Sequence, residues 1–346
     1  MAERPLHVLV PPVAVRRLVL TPLLLVLAVA VVVVLPVPLA LAWLVAAVVP
    51  RLRNGLRLVT VVAVYVLIDA GALLAAAGLW VASGFGRRLG TKRYLDRHYA
   101  LMRWVLDSLV RVMLPVFKLG FEVEEPDEPL PEPRRPLIVL SRHSGPGDSF
   151  LLVHQLLRTY QRRPRVIMKD ALQLDPALDV LGNRLPNVFV APRPGADVDI
   201  LAAIGRLAAG LGPDDAMLIF PEGANFTPRR RLRSIAYLEK LKLVEQAAEA
   251  RTLEHVLAPR PGGVWAATSA APGADVVFVA HTGLRELGEL SQTWRQVPLG
   301  RTVRARWWRV PGSEVPREKA EQERWLYRWW GHLDDWIDEQ APAGRP

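Results

Sequence analysis

From Leu18 to Val49 the chain carries no ionisable side chain, and from Leu58 to Ser83 only Asp69 brings a charge into a second apolar run. A helix crossing a bilayer needs about 20 consecutive apolar residues. Each run is long enough for that, and both exceed the apolar core of a cleaved signal peptide. This feature constrains the fold most, because so much apolar surface near one end needs lipid or protein to cover it. We expect two spans, 18–38 and 58–82, with Arg51, Arg53 and Arg57 in the loop between them. The first run also holds Pro36 and Pro38, so a single kinked span and a re-entrant hairpin are both open readings. A basic cluster, Arg87, Arg88, Lys92, Arg93, Arg97 and Arg103, follows the second run. The positive-inside rule places that cluster, and the chain after it, in the cytoplasm. A carboxylate at Asp69 is expensive in such a segment and points to a helix-packing or interfacial role.

The formal net charge is +10 over 346 residues. A basic chain seeks nucleic acid, an anionic membrane or phosphorylated substrates. The apolar runs select the membrane, and no nucleic-acid-binding motif is present. The absence of cysteine excludes disulfides, thiolate-ligated metals and a thiolate nucleophile.

Residues 94–118 interleave Leu101, Trp104, Val105, Leu109, Val112 and Met113 with Arg97, Arg103, Arg111 and Lys118. They read as an amphipathic helix, either on the bilayer surface or packed on a domain core. The proline-rich acidic stretch 124–136 is a linker or turn. Beyond it, strand-like runs at 137–141, 165–168, 187–191, 216–220 and 275–280 alternate with helical stretches at 149–161, 197–211 and 232–250. That order predicts an α/β domain with a mostly parallel central sheet flanked by helices. The expected organisation is a membrane anchor over 1–86, an interfacial helix and connection over 87–123, the α/β domain over 124–338 and a tail over 339–346.

In open parallel sheets, sites form in the loops after the strands' carboxyl ends. Two such loops stand out. RHSGPGD (142–148) follows the strand LIVLS, and FPEGANF (220–226) closes the strand AMLIF. His143 and Asp148 are either a base and its orienting carboxylate or an incidental histidine and a helix cap. The spacing alone does not choose, because a His-x4-Asp pair arises by chance about 0.3–0.5 times in a chain with this many histidines. Gly223 permits a turn closed to other residues. Glu222 either accepts a hydrogen bond from a hydroxyl or orients its loop.

Taken together, the His-x4-Asp and Phe-Pro-Glu-Gly blocks resemble those of the glycerolipid acyltransferases, which act on lysophosphatidate and lysophospholipids. NVFVAPR (187–193) resembles the family's intervening arginine block, and HVLAPRPGGVWA (255–266) and the tryptophan-rich 303–337 resemble its lysophospholipid and lysocardiolipin branch. The resemblance covers about 137–338. It implies a membrane-bound O-acyltransferase that moves a fatty acyl chain from acyl-CoA or acyl carrier protein to a hydroxyl of a lysophospholipid or 1-acylglycerol-3-phosphate. It further implies His143 and Asp148 as the catalytic pair, Arg193, Glu222, Gly223, Asn225 and Arg142 at the substrate, and no metal or cofactor. Arg142 replaces the asparagine, and Ala224-Asn225-Phe226 the Thr-Arg-Ser, of many lysophosphatidate acyltransferases. These departures point to an acceptor with a larger headgroup. Arg229, Arg230 and Arg231, with Arg233, are either a binding site for coenzyme A phosphates or headgroups or a solvated face. His281 reads as structural, and Arg158, Arg162, Arg163 and Arg165 as surface charges. The competing function is a non-catalytic membrane protein that binds or scaffolds lipids on the same fold.

Overall fold

The computed structural model describes residues 10–125, 134–191, 197–284 and 300–340. Its helices are α1 Val13–Val33, α2 Pro36–Val48, α3 Arg53–Ala82, α4 Lys92–Phe117, α5 Pro146–Arg158, α6 Pro176–Arg184, α7 Asp197–Ala209, α8 Pro228–Lys240, α9 Val244–Thr252, α10 Pro261–Ala270 and α11 Lys319–Glu339. Its strands are β1 Gly120–Glu124, β2 Leu137–Ser141, β3 Arg163–Lys169, β4 Val188–Val190, β5 Asp215–Ile219, β6 Asp275–His281 and β7 Thr302–Val310. The chain divides into two compact units, one of 1–116 with 167–196 and one of 117–166 with 197–346.

The first unit is mainly helical. α1 and the helical segment Pro50–Ala82, which contains α3, are long and apolar enough to cross a membrane. The first long helix therefore ends at Val33, not at 38. Pro36 has no amide hydrogen and cannot continue the helical ladder, so it opens α2 instead. Thirteen residues, the length of α2, fall short of a span. α1 meets α3 through Ala28, Val66 and Ala70. α3 meets α6 where Ala72, Leu73 and Ala76 pack on Ala177 and Leu181. Small side chains let these backbones approach closely. At the start of α1 the buried Arg16 donates to Asp179 at 2.7 Å. Asp69 is buried, as its cost in an apolar helix demands. The last three residues of β3 pair in parallel with β4.

The second unit is built on a mostly parallel sheet of order β1-β7-β6-β2-β5-β3. β2 is parallel to both of its neighbours, β5 and β6. All five of its residues are buried, as a continuous apolar run flanked on both faces requires. β7 runs antiparallel to β6, and β1 lies parallel to β7. β1 falls inside the stretch expected to be an interfacial connection. Phe278 of β6 stacks on Trp329 of α11 at 4.5 Å between ring centres, and Trp325 and Trp330 meet it edge-on. Most tryptophans of the terminal helix therefore form core. The helix expected over 232–250 is two, α8 and α9, broken where Lys242 takes φ +57°. Arg162 and Arg165 are not surface charges. Arg162 is 2% exposed and donates to the carbonyls of Arg135 and Pro213, and Arg165 pairs with Asp215 at 2.6 Å.

The register positions the site. Leu140 of β2 lies beside Ile219 of β5, and Ser141 beside Val279 of β6. The turns leaving β2 and β5 and the end of β6 thus meet at one edge of the sheet.

Candidate active site

Arg142 to Gly145 leave β2 as an extended turn that feeds α5. The Asp148 side chain reaches back from the first turn of α5. Its Oδ2 accepts from the amides of Ser144 at 2.6 Å and Gly145 at 3.0 Å. Its two oxygens each lie 3.1 Å from Nδ1 of His143. The cap and the dyad are therefore one arrangement: the carboxylate satisfies amides at the helix start and holds an imidazole. Burial pushes the Asp148 carboxyl up, but its hydrogen bond with His143, the neighbouring imidazoles and the Gly145 amide outweigh this and hold it at about 2. An anion against Nδ1 selects the tautomer with the proton on Nδ1, which leaves the Nε2 lone pair as the basic site. The imidazole leans on Phe220, ring centres 4.4 Å apart, and its side chain keeps 15% exposure against 2% for Asp148.

Glu222 is buried in the turn after β5. Oε1 accepts from the His143 amide at 2.9 Å and Oε2 from the Leu257 amide at 3.0 Å. Both oxygens are committed to backbone, so of the two roles expected for Glu222 the geometry gives loop orientation. Burial pushes its carboxyl up to about 8, against the Arg142 guanidinium and the two amides, which favour the anion. Gly223 takes φ +68°, and a β-carbon added there would come within 3.2 Å of the Arg260 guanidinium. The Phe226 amide donates to the His143 carbonyl at 2.7 Å. Asn225 gives its carbonyl to Arg230.

Arg142, expected at the substrate, lies inside the protein. It is 4% exposed, and its guanidinium donates to the carbonyls of His281 at 2.7 Å and His255 at 3.1 Å. Arg231 likewise turns inward, to the carbonyls of Leu253 and Arg251, while Arg229 and Arg230 are exposed. Arg193 lies outside the described residues.

Sequence reasoning gave His281 no place near Asp148. It ends β6, with Nε2 3.3 Å from the Arg142 carbonyl and 3.6 Å from Asp148 Oδ2. Residues 142 and 281 thus bind each other's carbonyls with their side chains. Burial holds the His281 imidazole down to about 4 despite the Asp148 charge, with the Arg142 guanidinium adding to the effect. Its position at the carboxyl end of a buried strand was the available signal.

An apolar pocket of about 70 Å³ has Asp148 and His281 in its wall. Leu151 and Leu152 of α5, Val277 of β6, and Val303 and Trp307 of β7 also line it. Among the described residues no cluster of metal-ligating side chains occurs.

Residues 122–282 match the family model described as Acyltransferase. No curated protein matches the chain. Among solved structures, the 1-acyl-sn-glycerophosphate (LPA) acyltransferase PlsC from Thermotoga maritima is similar, with a TM-score of 0.49 and 15% identity over 84% of this chain and 100% of that one. The matched segment runs from β1 to the end of β6 and contains the His143–Asp148 pair and the Glu222 turn, so both candidate loops lie within the part of the chain that is similar to the acyltransferases.

Proposed function

We propose that the protein transfers a fatty acyl chain from a thioester donor, acyl-CoA or acyl carrier protein, to a free hydroxyl of a lysophospholipid or 1-acylglycerol-3-phosphate. The observation that carries this reading is the His143–Asp148 contact beside an apolar pocket whose wall includes Asp148. His143 Nε2 takes the proton of the acceptor hydroxyl as its oxygen attacks the thioester carbonyl. Asp148 stabilises the imidazolium that forms. The tetrahedral intermediate collapses with loss of the thiolate, which takes the proton back from His143. Ester and thiol are the products. The amides of His143, Ser144 and Gly145 already serve Glu222 and Asp148, so we assign the oxyanion to backbone amides of the 222–225 turn. Arg193 is the proposed ligand of the acceptor phosphate. The chemistry requires no metal or prosthetic group.

We further infer an integral membrane protein with its α/β domain on the cytoplasmic side. Two helices of spanning length and the basic residues that follow the second support this. The test is a panel of lysolipids with labelled acyl-CoA and acyl carrier protein, read by mass spectrometry for the wild type and His143→Ala. Acylation by the wild type alone is expected. Equal product from both proteins removes His143 from the chemistry, and no product from any pair of donor and acceptor leaves a lipid-binding role.

A further inference from the structure

We propose that the α8–α9 hairpin is a second lipid-docking element, which sets its protruding apolar side chains into the interface of an anionic bilayer. Leu232 is 64% exposed, Tyr237 61%, Leu241 49%, Leu243 37% and Val244 75%. Apart from Val198, these are all the exposed large apolar side chains among the described residues of the α/β unit. Within α8 only Ile235 is buried. A patch of this kind, concentrated on one element, marks an interaction surface.

The charges identify the occupant. Residues 228–244 hold six arginines and lysines against one acid, Glu239, and that acid is paired with Arg251 at 2.5 Å. Arg231 turns inward, while Arg229, Arg230, Arg233, Lys240 and Lys242 are exposed among the apolar side chains. A protein partner calls for an apolar centre depleted of charge, with the polar groups at its rim. Here cations alternate with leucine and tyrosine over the whole face. That mixture suits a headgroup layer, where aliphatic side chains enter the acyl boundary, tyrosine lies at headgroup depth and cations meet phosphate.

The root of the hairpin belongs to the site. α8 starts at Pro228 behind its Thr227 cap, two residues after the Phe226 amide that holds the His143 carbonyl. Docking the hairpin brings the loop of the candidate base to the lipid surface. This deepens the reading of the acceptor as a membrane lysolipid and rests on it.

The chain has no cysteine, so Leu232→Cys accepts a single environment-sensitive fluorophore. The labelled full chain is placed in nanodiscs of phosphatidylcholine alone, in nanodiscs with added phosphatidylglycerol, and in detergent. Blue-shifted emission, quenched by spin-labelled lipid and stronger with the anionic lipid, is expected. Arg233→Ser/Lys240→Ser/Lys242→Ser in the same background should cut the quenching by roughly twofold or more, with thermal melting confirming the fold. Identical emission in detergent and nanodiscs overturns the proposal. So does a shift that appears only when an acidic carrier protein is added. The lysolipid panel on unlabelled protein reads the catalytic function separately, so a seated probe on an inactive protein, or the reverse, distinguishes the two failures.

Discussion

α1 and β2 are both runs of leucine, valine and alanine-sized apolar residues, and they end in opposite surroundings. In α1, Val26, Val29 and Val33 are 67, 62 and 71% exposed. In β2, Leu137, Ile138, Val139 and Leu140 are 3, 0, 1 and 0% exposed. Hydropathy does not separate them; length and punctuation do. β2 lies between Pro136 and the turn at Gly145, too short for a span, and two parallel neighbours cover it. From Leu18 onward, α1 belongs to a stretch that no charge interrupts for 32 residues. Protein covers β2, and the apolar face of α1 is left exposed.

One pair of substitutions is designed to break that contrast. Val139→Arg puts an unpaired cation into the sheet and should cost more than about 4 kcal/mol, enough to unfold the α/β unit. Val29→Arg leaves that unit's melting intact and instead costs about 3 kcal/mol of membrane insertion. Thermal melting and membrane fractionation of the two variants read the difference. If Val29→Arg melts the α/β unit as Val139→Arg does, or partitions like the wild type, α1 does not present its apolar face to lipid.

The candidate site contrasts with the core strand beneath it. His143→Ala removes a partly exposed side chain and should leave the melting temperature near that of the wild type. Turnover should fall by about 10²–10⁴, the usual contribution of a general base. Glu222→Gln should do both kinds of damage, because an amide nitrogen facing the His143 or Leu257 amide loses one of the two bonds. We expect a loss of roughly 1–3 kcal/mol in stability and about tenfold in turnover. A variant with both wild-type melting and wild-type turnover would show that Glu222 does not hold the two loops.

Protonation separates two buried groups of the site. His281 is held near 4 in the folded protein against 6.5 unfolded. The unfolded chain therefore binds more protons between those values, and His281 removes stability as pH falls through that window. Glu222 is raised to about 8 from 4.5. Its contribution has the opposite sign: stability grows as pH falls from 8 towards 4.5. The two oppose each other between pH 6.5 and 4.5. His281→Gln should become relatively more stable on acidification than the wild type, and Glu222→Gln relatively less, each by an amount of order 2 kcal/mol. Melting temperatures at pH 7.5 and 5 measure both slopes; equal slopes in all three proteins count against the buried pair.

Much of this was legible because it is written in local patterns. β2, β5 and β6 are continuous apolar runs, and the two polar turns after β2 and β5 are short and ordered. Parallel pairing then brings those turns to one edge, which any doubly flanked sheet would do. Three features were not legible. β1 is a five-residue edge strand whose pattern GFEVE shows only partial burial. The partner of His281 depends on the register of β6 against β2, and no spacing along the chain encodes that register. The inward turn of Arg142 and Arg231 depends on which backbone carbonyls lie open nearby. Charge in sequence identifies a cation but not the acceptor it meets.

The smallest expected effect tests the second turn most directly. Gly223 has φ +68°, where a β-carbon costs about 1 kcal/mol. An added carbon there would lie 3.2–3.4 Å from the guanidinium of Arg260, the far end of a flexible side chain, so steric cost adds little. Gly223→Ala should therefore lose about 1–2 kcal/mol. Gly273→Ala, with nothing within 4 Å of the new carbon, should be near neutral. If the strain is confined to the turn, turnover follows stability and is restored at lower temperature. If it moves Glu222, turnover stays low in fully folded protein, because the His143 amide then loses the carboxylate that fixes it.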